Sequence, residues 1–126
     1  MEKENQKTIL LVEDEENLSS ITADVLESEG FNVIKAKNGE EGLKNALEFK
    51  PDLILTDIIM PVMDGITMLR KLRENEWGKT AKVIILSNLG DPEEINKAMS
   101  NEVFDYLIKV SWGPKELVEL VKKKLG

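Results

Sequence analysis

Short apolar runs alternate along the chain with longer stretches in which apolar residues recur every three or four positions. Ile9-Leu10-Leu11-Val12 is a continuous apolar run, and its length and β-branched content predict a strand buried on both faces. It stops at Glu13-Asp14-Glu15-Glu16. Leu18, Ile21, Val25 and Leu26 then recur at helical spacing, and Gly30 ends that helix. Phe31-Asn32-Val33-Ile34 predicts a second, more mixed strand, nearer an edge. Asn38-Gly39 punctuates. Leu43, Ala46 and Leu47 mark a short amphipathic helix closed by Pro51. Leu53-Ile54-Leu55 predicts a third strand ending at Thr56-Asp57. A loop carrying Pro61 and Asp64-Gly65 leads to a helix over Ile66, Leu69 and Leu72. Val83-Ile84-Ile85-Leu86 is a fourth strand, ending at Ser87-Asn88. Asp91 caps and Pro92 opens a fourth helix. The run from Val103 to Ile108 is a fifth strand ending at Lys109. Pro114 starts a last helix with Leu117, Leu120, Val121 and Leu125 on its apolar side.

Strands and helices that alternate strictly imply a parallel sheet with helices on both faces, an α/β three-layer architecture. No internal repeat, low-complexity segment or interdomain linker interrupts the pattern. A length of 126 residues suits one domain. Residues 1–7 are expected to be a polar tail and residues 8–126 a single domain.

Composition narrows the chemistry. Without cysteine there is no disulfide framework, thiolate zinc site or cysteine nucleophile. Without histidine there is no histidine-dependent triad and no imidazole-ligated metal. Seventeen basic residues against twenty-four acidic ones give a net charge of −7, which disfavours non-specific binding to nucleic acid or anionic membranes. No apolar run approaches the roughly 20 residues that span a bilayer. The N-terminus lacks the apolar core of a signal peptide, so a cytoplasmic location is expected.

Ligands of open parallel sheets bind beyond the carboxyl ends of the strands. Those ends carry Glu13 and Asp14, Asp57, Ser87 and Lys109. Carboxylates gathered at one edge repel one another unless a cation joins them. Oxygen-only ligands favour a hard cation, with Mg²⁺ the best fit and Mn²⁺ an alternative. Such an ion leaves Asp57 usable as a nucleophile towards phosphorus. Lys109 and the Ser87 hydroxyl can take the other phosphoryl oxygens.

Four stretches carry a resemblance: Ile9-Leu10-Leu11-Val12-Glu13-Asp14-Glu15, the run from Leu53 through Asp57 and Pro61 to Asp64-Gly65, Ile84-Ile85-Leu86-Ser87, and Asp105-Tyr106-Leu107-Ile108-Lys109. Together, in this order, they resemble the receiver (CheY-like) domain of bacterial two-component response regulators over essentially the whole chain. The resemblance implies a flavodoxin-like, doubly wound parallel sheet with strand order 2-1-3-4-5 and no output domain. It implies that Asp57 accepts a phosphoryl group from a sensor histidine kinase or a histidine phosphotransfer protein. Glu13, Asp14, Asp57 and the Ile59 backbone carbonyl would hold the metal. Ser87 and Lys109 would bind the phosphoryl oxygens. Tyr106 would be a switch aromatic that follows Ser87, and the fourth helix, fifth strand and fifth helix would form the output surface. The output would be a downstream protein, a homodimer formed on phosphorylation, or onward phosphoryl passage. The chain would be a switch rather than an enzyme, catalysing only its own phosphorylation and slow dephosphorylation.

The sequence departs from the family pattern at Val110, where proline usually follows the lysine, and at Asn88, where alanine or glycine is usual. Because a non-proline cis bond costs about 3 kcal/mol, a trans bond and a rearranged loop through Ser111-Trp112-Gly113 are expected. Ile59 and Leu89 are apolar at positions that tune hydrolysis in the family. Apolar side chains there cannot orient a water, so the phosphorylated form is expected to be long-lived.

Simpler readings stand beside these. Glu15 and Glu16 suit a solvated helix N-terminus, and Lys122-Lys123-Lys124 a helix C-terminus. Tyr106 can be a packing residue alone. Trp77 and Trp112 either cover the core or mark a partner surface. The alternative function is a phosphorylation-independent binding module on the same fold. A flavin-binding electron carrier is disfavoured because its first loop should cradle phosphate with backbone N–H groups, whereas this loop is acidic. An Asp-x-Asp phosphatase is disfavoured because Ile59 stands where the second carboxylate belongs.

Overall fold

The computed structural model describes residues 6–87, 105–108 and 113–126. Within them lie β1 (Thr8–Val12), α1 (Glu16–Ser28), β2 (Asn32–Ala36), α2 (Gly39–Phe49), β3 (Leu53–Asp57) and α3 (Gly65–Arg73). A 3-10 turn (Gly78–Thr80), β4 (Val83–Ser87), β5 (Asp105–Ile108) and a C-terminal helix (Pro114–Leu125) follow. The fourth helix expected from Asp91 and Pro92 lies outside the described residues, as do Asn88, Leu89, Lys109, Val110 and Trp112. The side chains of Ser87 and Tyr106 are likewise outside the description.

The five strands form one parallel sheet in the order β2-β1-β3-β4-β5. Register follows from the runs of apolar residues: Leu10 stands opposite Ile34 on one side and Ile54 on the other. Alternate side chains point to opposite faces of a strand. Leu10, Val12, Ile54, Val83 and Ile85 therefore share one face, with Ala46 of α2 and Ile66, Leu69 and Leu72 of α3. Ile9, Leu11, Leu53, Leu55, Ile84 and Leu86 share the other, with Ala23 and Leu26 of α1 and Leu117 and Val121 of the C-terminal helix. The result is three layers. The strand residues of β1, β3 and β4 on both faces are almost wholly buried, which explains why their sequences read as unbroken apolar runs. The mixed pattern of β2 fits its position at the sheet edge, where Asn32 and Lys35 are exposed.

Helix ends show how the sequence punctuates itself. At the end of α1 the Gly30 N–H donates to the Glu27 carbonyl at 3.0 Å and the Phe31 N–H to the Leu26 carbonyl at 3.2 Å. Gly30 takes φ +96°, so this is a Schellman stop, completed by Phe31 and Leu26 packing in one cluster. Phe31 thus closes the helix rather than opening β2, which starts one residue later. Asn38 caps α2 by accepting the Glu41 N–H at 2.8 Å. Trp77 is half-buried against the α2/α3 side of the core, so it covers the core. Arg73 braces the same connection, its Nη1 donating to the Gly78 carbonyl at 2.6 Å and the Ala81 carbonyl at 2.8 Å.

The C-terminal helix starts on half of a capping box, since Gly113 has no side chain to return the contact. Glu116 Oε1 accepts the Gly113 N–H at 2.9 Å, and that bond lowers its pKa below the usual 4.5, with Lys115 adding to the effect. A carboxylate with a lowered folded-state pKa contributes stability that is present above 4.5 and is lost as pH falls through the folded-state value. Glu116→Gln is therefore expected to lower the melting temperature at pH 7, with the gap to the wild type closing in acid. Thermal unfolding of both proteins from pH 7 down to pH 3 measures this; a gap independent of pH contradicts it.

Candidate functional site

Strand order reverses between β1 and β3, since the chain leaves β1 towards β2 on one side and continues through β3 and β4 on the other. That reversal opens a crevice at the carboxyl ends of β1 and β3. Glu13 and Asp14 follow β1 directly, and Asp57 is the last residue of β3. Their carboxylate oxygens lie within 4.8 Å of one another. The three differ in setting: Glu13 is buried, Asp57 half-buried and Asp14 exposed.

Local structure aims each group. The Glu13 N–H donates to the Ala36 carbonyl at 2.9 Å, extending the β1–β2 ladder by one residue. Its Oε2 accepts the Glu15 N–H at 3.0 Å. Glu15 in turn caps α1, accepting the Asn17 N–H at 2.9 Å. The acidic run thus divides, with Glu13 and Asp14 serving the crevice and Glu15 and Glu16 the helix N-terminus. Asp57 Oδ1 accepts the Ile58 N–H at 2.7 Å, which fixes the rotation of the carboxylate. The buried Thr56 hydroxyl donates to the Asp57 carbonyl at 2.9 Å.

The donor set suits a small hard cation. Mg²⁺ binds oxygen at about 2.1 Å, so opposite ligands stand about 4.2 Å apart. A trio spread over at most 4.8 Å closes to that span through small side-chain rotations. The adjoining cleft of about 280 Å³ is lined mostly by charged residues, among them Glu13, Asp14, Glu16, Lys35 and Lys37, whose aliphatic stems supply much of its wall. It leaves room for the waters that Mg²⁺ keeps.

Behind Asp57 the chain makes a tightly held loop. The Gly65 N–H donates to the Ile58 carbonyl at 2.7 Å and so closes it. A Cβ at Gly65 would collide with the Asp57 carbonyl oxygen, so only glycine lets α3 start this close to the end of β3. Asp64 caps α3, accepting the Thr67 N–H at 2.6 Å. The Met63 carbonyl accepts the Gly39 N–H at 2.8 Å, which ties the loop to the start of α2. Between these ties Val62 sits at φ +69°, and the Met63 N–H donates to the Pro61 carbonyl at 2.7 Å, forming a γ-turn. A β-branched residue with positive φ is strained by about 1–3 kcal/mol. Met60 is buried and Met63 half-buried, both as packing residues, while Ile59 is exposed.

Of the residues expected at the site, Glu13, Asp14 and Asp57 come together. Ile59 lies on the loop directly after Asp57. Ser87 is the last residue of β4, and β4 pairs with β3 so that Leu86 stands opposite Asp57. Tyr106 lies in β5 opposite Ile85. Lys109 and Leu89, with the side chains of Ser87 and Tyr106, lie outside the described residues. Sequence reasoning missed Gly65 and Val62. Gly65 directly after the Asp64 cap carried a signal for the first. Nothing in the sequence signals the second, because valine is among the residues least suited to that backbone.

A family model described as "Response regulator receiver domain" matches residues 9–122. The transcriptional regulatory protein ResD of Bacillus subtilis is 36% identical over 99% of this chain and 50% of its own length. The chemotaxis protein CheY of Halobacterium salinarum is 33% identical over 82% of this chain and 84% of its own. The chain spans about half the length of the transcriptional regulators it matches. A CheY-like receiver domain protein from Methanospirillum hungatei superimposes with TM-score 0.87 at 29% identity, covering 95% of this chain and 94% of that one. The receiver domain of the Pseudomonas aeruginosa sensor histidine kinase PA1611, with magnesium coordinated in its active-site cleft, gives TM-score 0.87 at 27% identity. That match covers 96% of this chain and 98% of the other.

Strain at Val62 has a measurable consequence. Asparagine adopts positive φ readily, so Val62→Asn is expected to stabilise the fold by about 1 kcal/mol. That corresponds to about 3–5 °C in melting temperature. Urea unfolding and calorimetry measure the change; a destabilised variant contradicts the strain.

Proposed function

Because the chain belongs to the response regulator receiver domain family, we propose that it is a phosphorylation switch in which Asp57 accepts a phosphoryl group from a histidine-phosphorylated protein. The donor is a sensor histidine kinase or a histidine phosphotransfer protein. The observation that carries this reading is the convergence of Glu13, Asp14 and Asp57, with carboxylate oxygens within 4.8 Å, at the switch point of the sheet.

Glu13, Asp14, Asp57 and the backbone carbonyl of Ile59 hold Mg²⁺, or Mn²⁺ in its place. When bound, the ion supplies positive charge against the oxygens of the incoming phosphoryl group. Asp57 is the nucleophile. Its rotation is fixed by the Ile58 N–H, so the carboxylate meets the phosphorus already oriented. Ser87 and Lys109 bind the remaining phosphoryl oxygens, roles the family resemblance assigns them. Buried Glu13 is a fixed point of the metal set, because its Oε2 is tied to the Glu15 N–H. Asp14 is exposed and lies on the solvent side of the trio. Tyr106 and Ser87 couple phosphorylation to the output surface. The readout is a downstream protein, a homodimer or onward phosphoryl transfer. The chain acts on no substrate other than its own donor and its own phosphate.

Intact-protein mass after incubation with acetyl phosphate tests the reading. One added phosphoryl group is expected with Mg²⁺, and none in Asp57→Asn or with EDTA. A gain that survives either control overturns the assignment of Asp57 or of the metal. No gain in the folded wild type points instead to a phosphorylation-independent binding module.

The Ile59 side chain is 73% exposed and cannot hold a water for attack on the phosphoryl group. Ile59→Asn is expected to release phosphate faster than the wild type, followed by loss of the mass gain with time. Unchanged or slower release contradicts a tuning role for Ile59.

A further inference from the structure

Asn38-Gly39 closes the connection from β2 to α2, and backbone conformation is not what requires the glycine there. Among the described glycines, positive φ belongs to Gly30 and Gly126. Space decides it instead. A Cβ at Gly39 would collide with the Met63 carbonyl oxygen and stand 2.9 Å from the Asp64 carbonyl oxygen. Both are backbone atoms, which cannot swing aside as the end of a flexible side chain does. Gly39 is the first residue of α2, so its N–H is one of the donors that a helix leaves without an intrahelical partner. It donates to the Met63 carbonyl at 2.8 Å. The start of α2 is itself held firmly. Asn38 Oδ1 accepts the Glu41 N–H at 2.8 Å, and Glu41 Oε1 accepts the Lys37 N–H at 2.9 Å.

The other end of this short connection touches the site as well. The Ala36 carbonyl accepts the Glu13 N–H at 2.9 Å. Residues 36–39 therefore hold two pieces of backbone at once: Glu13, directly after β1, and Met63, on the loop that carries Ile59 after β3. The ligands assigned to the metal come from these two places. A small cation demands near-ideal spacing of its ligands, and ordering them as it binds costs conformational entropy. A segment that fixes one ligand-bearing element against the other orders them before the ion arrives.

We propose that Gly39 is a positioning residue for the metal: through it the start of α2 sets the β3–α3 loop against Glu13, so that metal affinity and closure of the Gly39–Met63 hydrogen bond depend on each other. The inference rests on the reading that Glu13, Asp14, Asp57 and the Ile59 carbonyl hold the metal. Gly39 supplies no ligand atom; it acts through Met63. Linkage makes the dependence reciprocal, so the ion in turn tightens the start of α2.

Two measurements on the full chain test this. The first is Mn²⁺ affinity, titrated by the electron paramagnetic resonance of the free ion. Gly39→Ala is expected to weaken binding about fivefold or more, the lower end of coupling between linked sites. Ala46→Gly weakens the same helix at a buried position about two turns further along, and is expected to stay within about twofold of the wild type. The second is amide hydrogen exchange in the wild type. Saturating Mg²⁺ is expected to slow exchange at Gly39 by about the same factor. Lys50, whose N–H donates to the Ala46 carbonyl at the far end of α2, is expected not to change. Equal Mn²⁺ affinity for the wild type and Gly39→Ala overturns the proposal. A loss shared by Ala46→Gly overturns it too, since affinity then follows the stability of the helix. If Gly39→Ala does not fold, exchange decides: no slowing at Gly39, or the same slowing at Lys50, overturns the coupling. Failure of the metal reading itself shows separately, as a wild type that takes up no Mn²⁺, and removes the proposal with it.

Discussion

A parallel sheet covered on both faces confines polar chemistry to its ends. In β1, β3 and β4 alternate residues face α2 and α3 on one side and α1 and the C-terminal helix on the other, and both sides are almost wholly dry. A carboxylate in the middle of such a strand would be desolvated without a partner, at a cost of several kcal/mol. At the strand's last residue or just beyond it, a carboxylate meets water, backbone N–H groups and its counterparts from the neighbouring strand. Glu13, Asp14 and Asp57 occupy those positions. The reversal of strand order between β1 and β3 then opens the space in which they converge.

The same confinement makes the site depend on its connections. Asp57 ends a strand whose neighbours are fixed by register, so its Cα position is set by the core. Its side chain is set by the Ile58 N–H, and the loop behind it by ties to Gly39 and Gly65. The lack of a Cβ at Gly65 lets α3 begin against the Asp57 carbonyl. The charged trio is held by backbone groups on several elements rather than by the trio itself, whose members repel one another.

Much of this was legible from residue type alone. Ile9-Leu10-Leu11-Val12 and Val83-Ile84-Ile85-Leu86 could only be buried strands, and the acidic residues directly after the first marked its end as chemical. The mixed run from Phe31 was legible as an edge strand but misread by a residue at its start. Phe31 is apolar because it packs on Leu26 to close α1, not because it lies in the sheet. Apolarity reports burial, and burial does not distinguish a helix stop from a strand. Val62 was illegible for a different reason. Local preference argues against positive φ for valine, and the turn is imposed by ties on either side that connect residues far apart in sequence, Gly39 among them. The 3-10 turn at Gly78–Thr80 and the Arg73 brace depend equally on tertiary contacts that no short window carries.

The edge of the sheet has its own consequence. β2 pairs with β1 on one side only, leaving a row of backbone donors and acceptors on the other. An open edge of this kind invites a strand from another molecule and, through it, aggregation. β2 is five residues long, and its exposed residues are Asn32 and Lys35. A short strand bearing an ammonium group is a poor template, because a second copy docked there would bring like charges together as it desolvated them. The sheet is thereby guarded at this border by the same polar residues that give β2 its mixed pattern in the sequence.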